Sequence, residues 1–585
     1  MDIVTTAGSA ADVLETIQTF PGVNRINEGS GMYVRGGDVS ETVVIIDQAT
    51  LIHPYKYESD TGGYFGMISP FLLSDIFFSS GAYSAKYGNA LSSVLVMSSM
   101  GMPSMKSLDV GLGIAAISLG GAWPIASNKL GLRFSCNYSD SELLFRINNH
   151  SGDYAQYPVS SDVNLNIIYE YSPKSQFYIS HFANQDDIAI TYKSPEFSGV
   201  FSNETSCRLY NLRWKYLLGN SIIINTSFSR NNFSKKTEVG SLDIALEDKL
   251  GKWRTDFVVP VLSKSTINTG FEINLSQTTI SGSIPDDEQD YSPGGEISYL
   301  ATDYRFQYFG LYIEGETFST GGLFGLAGGR LGYFKATHSH SIDPRLSIGY
   351  RIADNQTFKL AFGIYHQYPQ ACFRDKNEGN PNLLPMQSTH YVAGYEYKNE
   401  ITNLRIEAYY KNYNNLILND VNNNYSNDGN GFAYGLDLFM RGQWSLVSGW
   451  VSYSYLVAKR LEYEYSRLVP TDYDFRNSVS TALKFKLGDR SSFGVTHRYS
   501  TGKPYTPAED QWNSSRLPPV QRLDMSFSYI IPLDTSKYLL FYCAVSNVLN
   551  KTNIYDYRYS LDYSTRTEIK SIFTRNIYFG SVLSF

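Results

Sequence analysis

From about residue 107 to its last residue, the chain is written in segments of roughly ten residues whose side chains alternate apolar and polar. Clusters of Gly, Asn, Asp, Ser and Pro separate them. In "RLYNLRWKYLL", Tyr210, Leu212, Trp214, Tyr216 and Leu218 fall on one face, and Leu209, Asn211, Arg213 and Lys215 on the other. "LRIEAYYK" splits Leu404, Ile406, Ala408 and Tyr410 from Arg405, Glu407, Tyr409 and Lys411, and "GFAYGLDLFM" and "RLDMSFSY" repeat the pattern. Successive side chains of a strand point to opposite faces, so each segment offers one apolar and one polar face. A soluble sandwich would show the same alternation, but here the polar face carries ions as well as Ser and Asn while the apolar face is almost free of charge. That is what lipid requires, since Arg or Lys at mid-bilayer costs about 2–4 kcal/mol. Tyrosines crowd the strand ends, where a ring with a polar tip suits the membrane interface. There is no run of about eighteen apolar residues for a spanning helix, and no repeat of about 40–50 residues for a propeller.

A sheet edge left open in hydrocarbon strands a row of peptide groups at several kcal/mol each, so a membrane sheet must close on itself. The final ten residues, "NIYFGSVLSF", fit that need: Ile577, Phe579, Leu583 and Phe585 alternate on one face, with Ser581 the exception. The last strand is predicted to pair with the first. About 480 residues at roughly 22 per strand and connection give about 22 strands, enclosing a lumen wide enough to need a plug. The expected fold is all-β and transmembrane, a large antiparallel barrel over residues 105–585 with an α+β plug, residues 1–104, in its lumen.

Composition agrees. Among 585 residues there are 47 Gly and 47 Tyr, with aromatics at 15% and charged residues at 18%, a mix poor in helix formers. The net charge of −7 comes without a basic run, which argues against nucleic acid as a partner. Cys136 and Cys543 lie in strand-like stretches and read as free thiols, whereas a Cys207–Cys372 pair stays open. The stretch after Met1, "DIVTTAGSAADV", has neither the basic start nor the apolar core of an export signal, which is expected to be missing or removed. No GxSxG, HExxH or P-loop is written. The histidines are scattered; His338 and His340 would share a face in a strand, and a loop or lumen pair outweighs a metal site there. "DDEQD", Asp286 to Asp290, reads as a solvated loop. No catalytic residue, metal or cofactor is assigned.

The first hundred residues have another texture. "AADVLETIQTF" is helix-like, with Ser9 as N-cap, an apolar stripe of Val13, Leu14, Ile17 and Phe20, and a stop at Pro21-Gly22. In "VRGG", Gly36 and Gly37 allow positive φ and close backbone approach; Arg35 is either a buried charge needing carboxylates or an exposed turn cation. The apolar run Val43 to Ile46 in "VVIIDQ" suits a central strand covered on both faces, and "YGNALSSVLVM" closes that sheet.

The order "LETIQTFPGV", "VRGG", "VVIIDQ", "HPY", "SGAYSAKYGNALSSVLVM" resembles the plug of TonB-dependent outer-membrane receptors in the form common among Bacteroidetes. "DPRLSIGYRI", "GIYHQYP", "NPNLLPMQSTHYVAGYEY", "TGKPYTP", "NSSRLPPVQRLDMSFSY" and "NVLNKTNIYDYRY" resemble that family's barrel. The resemblance implies energy-coupled uptake of a scarce ligand of the siderophore, cobalamin, oligosaccharide or peptide class. It implies as partners the outer-membrane lipids, the TonB–ExbB–ExbD complex acting on an N-terminal segment missing here, the barrel assembly machinery reading the terminal Phe585, and a surface lipoprotein. It favours Arg35 as a buried cation paired with wall glutamates, with Asp47, Gly81, Tyr87 and Gly88 as further plug residues. By the same analogy the ligand-facing loops hold Arg25, Asn27 and Glu28, then Asp38 and Ser40, then His53, Tyr55, Lys56 and Tyr57; the alternative for Tyr55 and Tyr57 is packing of plug on wall. Two departures stand out: Gln48 follows Asp47 where the family has Gly, and Ser80 replaces a second Arg, so a weaker plug-to-wall ion cluster is expected. The competing function is a plugged barrel that transports nothing and serves as a scaffold in an outer-membrane complex.

Overall fold

The computed structural model describes residues 12–59, 62–126, 129–150, 152–193, 197–286, 291–318, 321–374, 380–419, 425–461, 467–508, 511–534, 537–559 and 564–585. Twenty-two antiparallel strands form a closed barrel. The last, Asn576–Ser584, pairs with the first, Ser107–Gly113, with Leu583 opposite Val110. One strand is interrupted: Leu468–Pro470 and Asn477–Lys486 both pair with Val447–Leu461. No described helix is long and apolar enough to cross a membrane; the strands do so.

The alternation works as the sequence implies. Tyr210, Leu212, Tyr410, Leu436 and Phe527 point outward and are exposed, as a lipid-facing surface must be, whereas Leu209, Asn211, Tyr409 and Lys411 point into the lumen and are buried. Turns such as residues 173–174 are short at one end of the barrel, and connections such as 368–385 and 547–575 are long at the other. In barrels of this kind the short turns face the periplasm and the long loops the outside. Strand length is uneven around the ring: Ile297–Phe318 has 22 residues, whereas Ser107–Gly113 has 7.

That short first strand pairs only with Gly580–Ser584, leaving the upper part of the last strand without a ladder partner. Asn148 fills in: its carboxamide Oδ1 accepts from the Ile577 N–H at 2.7 Å and its Nδ2 donates to the Ile577 carbonyl at 3.1 Å. One side chain thus imitates a strand residue at the seam.

Inside the barrel a four-stranded sheet runs in the order Ala49–Leu51, Thr42–Ile46, Ser93–Ser99, Leu73–Ser79, its central pair parallel. Val44 and Ile46 face one core with Val13, Leu14 and Ile17, and Ile45 faces another with Tyr83 and the wall residue Tyr365. The run Val43–Ile46 is therefore a central strand covered on both sides. The described helix spans only Val13–Ile17; Asp12 caps it, accepting from the Glu15 N–H at 2.9 Å, and Ser9 lies outside the described residues. Asp12 also accepts from the Gly66 N–H at 2.8 Å. Burial raises its carboxyl to about 6 against these bonds.

Two readings of the sequence change. Cys207 is a buried free thiol whose sulphur accepts from Asn231 Nδ2 at 3.4 Å, and it is not bridged to Cys372. His338 lies in a turn with φ 53° and meets the Tyr333 hydroxyl, so it shares no strand face with His340. Behind Ser80, the position of Gly81 faces His390 and Lys411 of the wall and Arg35 of the plug, described below. Of the acidic stretch Asp286 to Asp290, only Asp286 is among the described residues.

Candidate functional site

Three groups of side chains, among other contacts, join the plug to the wall. The first surrounds Arg35. Val34 and Gly37 form a tight bridge, and the left-handed residues within it are Arg35, φ 47°, and Gly36, φ 72°, rather than Gly37. A Cβ on Gly36 would stand 2.6 Å from Ala433 Cβ on the wall, so this turn presses against the barrel as only glycine can. Gly37 is needed for closeness alone, because its Cβ would lie 2.2 Å from Ser92 Oγ. The turn drives the guanidinium, 1% exposed, between two wall strands. Its Nε donates to Asp437 Oδ2 at 2.7 Å, its Nη2 pairs with Glu407, and it lies 4.5 Å over the Tyr409 ring. Beside it, Arg460 Nη2 meets Glu41 at 2.6 Å.

Where Ser80 stands in place of a second arginine, the wall supplies the polar contacts. His390 Nδ1 and Lys411 Cε lie 3.4 and 3.7 Å from the Cβ position of Gly81. Ala82 N–H donates to His390 Nδ1 at 3.2 Å, which leaves the ring proton on Nε2, facing the Leu91 carbonyl at 2.8 Å. Lys411 Nζ donates to Ser92 Oγ at 2.8 Å and to the Val34 and Ser92 carbonyls at 3.4 and 3.3 Å. A buried lysine bonded to a serine hydroxyl and backbone carbonyls stands there in place of an ion pair.

The second group grips residues 83–88. Arg345 Nη1 donates to the Tyr87 carbonyl at 2.7 Å, Arg254 Nη2 to the Lys86 carbonyl at 2.8 Å, and Arg330 Nη1 to the Ala85 carbonyl at 3.5 Å. Glu314 accepts from the Ala85 N–H at 2.8 Å and Ser84 Oγ at 2.9 Å. Arg330 lies against Gly88, and Tyr87 has Phe77 at 6.5 Å and the Arg254 cation at 5.9 Å. Glu272 sits among Lys252, Arg254 and Arg330. Sequence reasoning missed these wall residues. The signal was present as cations on the lumen face of membrane strands, as in "DPRLSIGYRI".

The third group is the outward-facing side of the plug. Glu28 accepts from the Ile572 N–H at 2.8 Å, Arg25 pairs with Glu15, and Asn27 Oδ1 takes the Gly29 N–H at 2.9 Å. Asp38 Oδ1 takes the Ser40 N–H at 2.9 Å, while the Ser40 carbonyl accepts from Gln367 Nε2 at 2.7 Å. His53 stacks on the wall residue Phe233 at 3.6 Å and joins Glu58 and Asp248. Burial opposes its imidazolium, but Glu58 and Asp248 outweigh it and hold the group up at about 9. Lys56 pairs with Asp162, and the Tyr57 N–H donates to Asp186 at 2.9 Å. Tyr55 is buried in the plug core, its hydroxyl accepting from the Met32 N–H at 3.0 Å. Most of these nine residues anchor the plug, and Ser40 is the exposed one. At the opposite side, Asp47 and Gln48 form the turn between Thr42–Ile46 and Ala49–Leu51 with φ 48° and 72°. Gln48 Nε2 donates to Asp256 at 2.7 Å and Arg213 meets Asp47 at 2.9 Å. The side chain that replaces the family's Gly thus reaches the wall. Among the described residues no cluster of three or more His, Cys, Asp or Glu could hold a metal.

A 22-strand barrel closed by its own C-terminal strand and filled by its N-terminal residues defines a plugged outer-membrane barrel. The family described as "TonB dependent receptor-like, beta-barrel" matches residues 130–548, and the chain belongs to it. Its place is the outer membrane of a Gram-negative bacterium. Among solved structures, the FrpB iron transporter from Neisseria meningitidis (F3-3 variant) superposes with a TM-score of 0.76 at 14% identity over 98% of this chain and 96% of that one. The ferric-catecholate import receptor Fiu from K12 E. coli gives 0.76 at 12% over 100% and 95%. The outer membrane transporter YddB from Escherichia coli gives 0.74 at 11% over 98% and 96%. At these identities the likeness is one of fold. No curated protein matches the chain.

Proposed function

We propose that the chain imports a scarce external solute by energy-coupled displacement of its plug. The observation that carries this is the chemistry of the plug–wall contact. The plug's own core is apolar, but buried wall cations bind its backbone carbonyls, and Arg35 sits between two wall carboxylates. A buried ion pair is worth little net against the same groups in water, so a pulled plug can exchange these contacts for water while its core stays folded. The terminal Phe585, whose N–H donates to the Leu108 carbonyl at 2.9 Å, is the end read by the barrel assembly machinery. Receptors and transporters surround the chain in fold, which does not favour the scaffold reading.

The test is uptake of labelled ferric siderophores, cobalamin, oligosaccharides and peptides by cells carrying the native gene, with and without TonB. It is repeated on a Lys56→Cys, Asp162→Cys variant closed by a short bismaleimide across that ion pair. TonB-dependent uptake of one class, abolished by the cross-link, is expected. Uptake that is indifferent to TonB and to the cross-link refutes the proposal.

A further inference from the structure

One part of the wall lacks the cationic grip. On the strands Leu130–Asp140, Tyr154–Ser172 and Ser175–Lys193, the lumen face presents Ser135, Asn164, Asn166, Ser180 and Asn184, all buried. They are neighbours by register: Ser135 is opposite Asn164, Asn166 opposite Ser180, and Asp162 opposite Asn184. Among the described residues none of the five has a hydrogen bond to the plug. Buried polar groups are nearly always paired, so around the two points where the plug holds these strands, Lys56 on Asp162 and the Tyr57 N–H on Asp186, the facet carries side chains that gain hydrogen bonds when wetted. The side gripped by Arg254, Arg330, Arg345 and Lys411 would lose them.

The unpaired atoms have a sign. Asn164 Nδ2 donates to Asp162 at 3.1 Å, Asn184 Nδ2 to Asp186 at 2.6 Å, and Asn211 Nδ2 to the Asp47 carbonyl at 3.0 Å. Each bond fixes its amide the same way round and leaves the carbonyl oxygen unpartnered; Asn166 adds a fourth such oxygen and one unpartnered Nδ2. The facet therefore offers acceptors, beside the carboxylates of Asp162 and Asp186, which Lys56 and the Tyr57 N–H hold while the plug is seated and release when it moves.

Taking the uptake reading as its premise, we infer that solute passes between plug and wall along this asparagine facet, which favours solutes rich in hydrogen-bond donors and without net negative charge. Amines and polyols pair with its oxygens; carboxylates and phosphates meet acceptors and like charge.

Cys207 is a natural probe. It is 2% exposed, faces the lumen and lies opposite Asn184 in register. Cys136, Cys372 and Cys543 are replaced by Ser in the full-length protein in cells, and Cys207 is challenged with a trimethylammonium-ethyl and a sulfonatoethyl methanethiosulfonate. Controls on the gripped side, in a chain without Cys207, are Ser388→Cys, where the hydroxyl donates to the Leu91 carbonyl at 2.7 Å, and Ala433→Cys. Heat-modifiable mobility shows which variants have assembled. The expected result is reaction of Cys207 only in TonB-energised cells, with the cation faster by about tenfold, as a cleft lined by one sign of charge concentrates the opposite ion, and with both controls silent. Controls reacting as fast as Cys207, or an anion as fast as the cation, overturn the inference. If Cys207 stays silent while TonB-dependent uptake persists, the path lies elsewhere; if uptake is absent too, the uptake reading falls with it.

Discussion

Replacing Arg35 by Met separates charge from packing at the plug's main anchor. At an effective dielectric of about 20, charges about 4 Å apart attract by about 4 kcal/mol, so two carboxylates give the guanidinium about 8 kcal/mol, much of which offsets its lost hydration. Without the cation, buried Asp437 loses its direct ion pair and keeps only the more distant Lys411 nearby among the described residues, and Glu407 keeps Arg405, at 3.5 Å, and the field of Lys359. Breaking a buried pair from one side costs about 3–5 kcal/mol. The assay is native-state amide exchange of Thr42–Ile46, the central plug strand, whose protection should fall by about two orders of magnitude or more, since each 1.4 kcal/mol is tenfold. Adding Glu407→Met and Asp437→Leu should restore all but about 1 kcal/mol, because apolar groups replace a buried ion pair at little net cost. A triple variant as unprotected as R35M would show that Arg35 acts through its packing on Tyr409, and the electrostatic reasoning would fail.

Histidine 53 sets a pH window for the loop it anchors. With its folded value raised to about 9 from 6.5, its stabilisation is complete below 6.5 and is lost as pH rises through 9; exchange from residues 52–58 should rise over that range, and His53→Gln should flatten it. Gln48→Gly should relieve about 1 kcal/mol of left-handed strain but lose a hydrogen bond to a carboxylate worth about 1.5–3 kcal/mol, for a net loss in urea unfolding. A gain would mean the Asp256 contact contributes nothing. Asn148→Ala should leave the Ile577 N–H and C=O unpaired at the seam and lower the heat-modification midpoint of the barrel; an unchanged midpoint would show that water or another residue satisfies that edge.

The barrel was legible because its constraint is local: alternation within each segment, such as Tyr210 to Leu218, fixes which side chains meet lipid, and closure then follows from the cost of an edge. The central plug strand at Val43–Ile46 was legible for the same reason. The partners of Arg35 were not, because Glu407 and Asp437 lie about four hundred residues away and nothing in their own segments separates them from other lumen-facing acids. The outward plug residues show the opposite difficulty. His53, Lys56 and Tyr57 have the chemistry of ligand contact, yet the acids that claim them, Asp248, Asp162 and Asp186, stand on strands whose register only the closed barrel defines.

The unequal strands shape the mouth. At about 3.3 Å per residue and a tilt of about 40°, the 22-residue strand rises about 55 Å, while the 7-residue strand at the seam rises about 18 Å, less than an apolar band of about 25 Å. The strand rim is therefore slanted, a high parapet on one side and, at the seam, a sill within the apolar band. Above that sill the wall is carried on by residues 142–150 and 571–575, which meet through the His150–Phe573 bridge and the Phe145 ring 4.7 Å from Phe573, so the low side of the barrel is finished by loops rather than by strands.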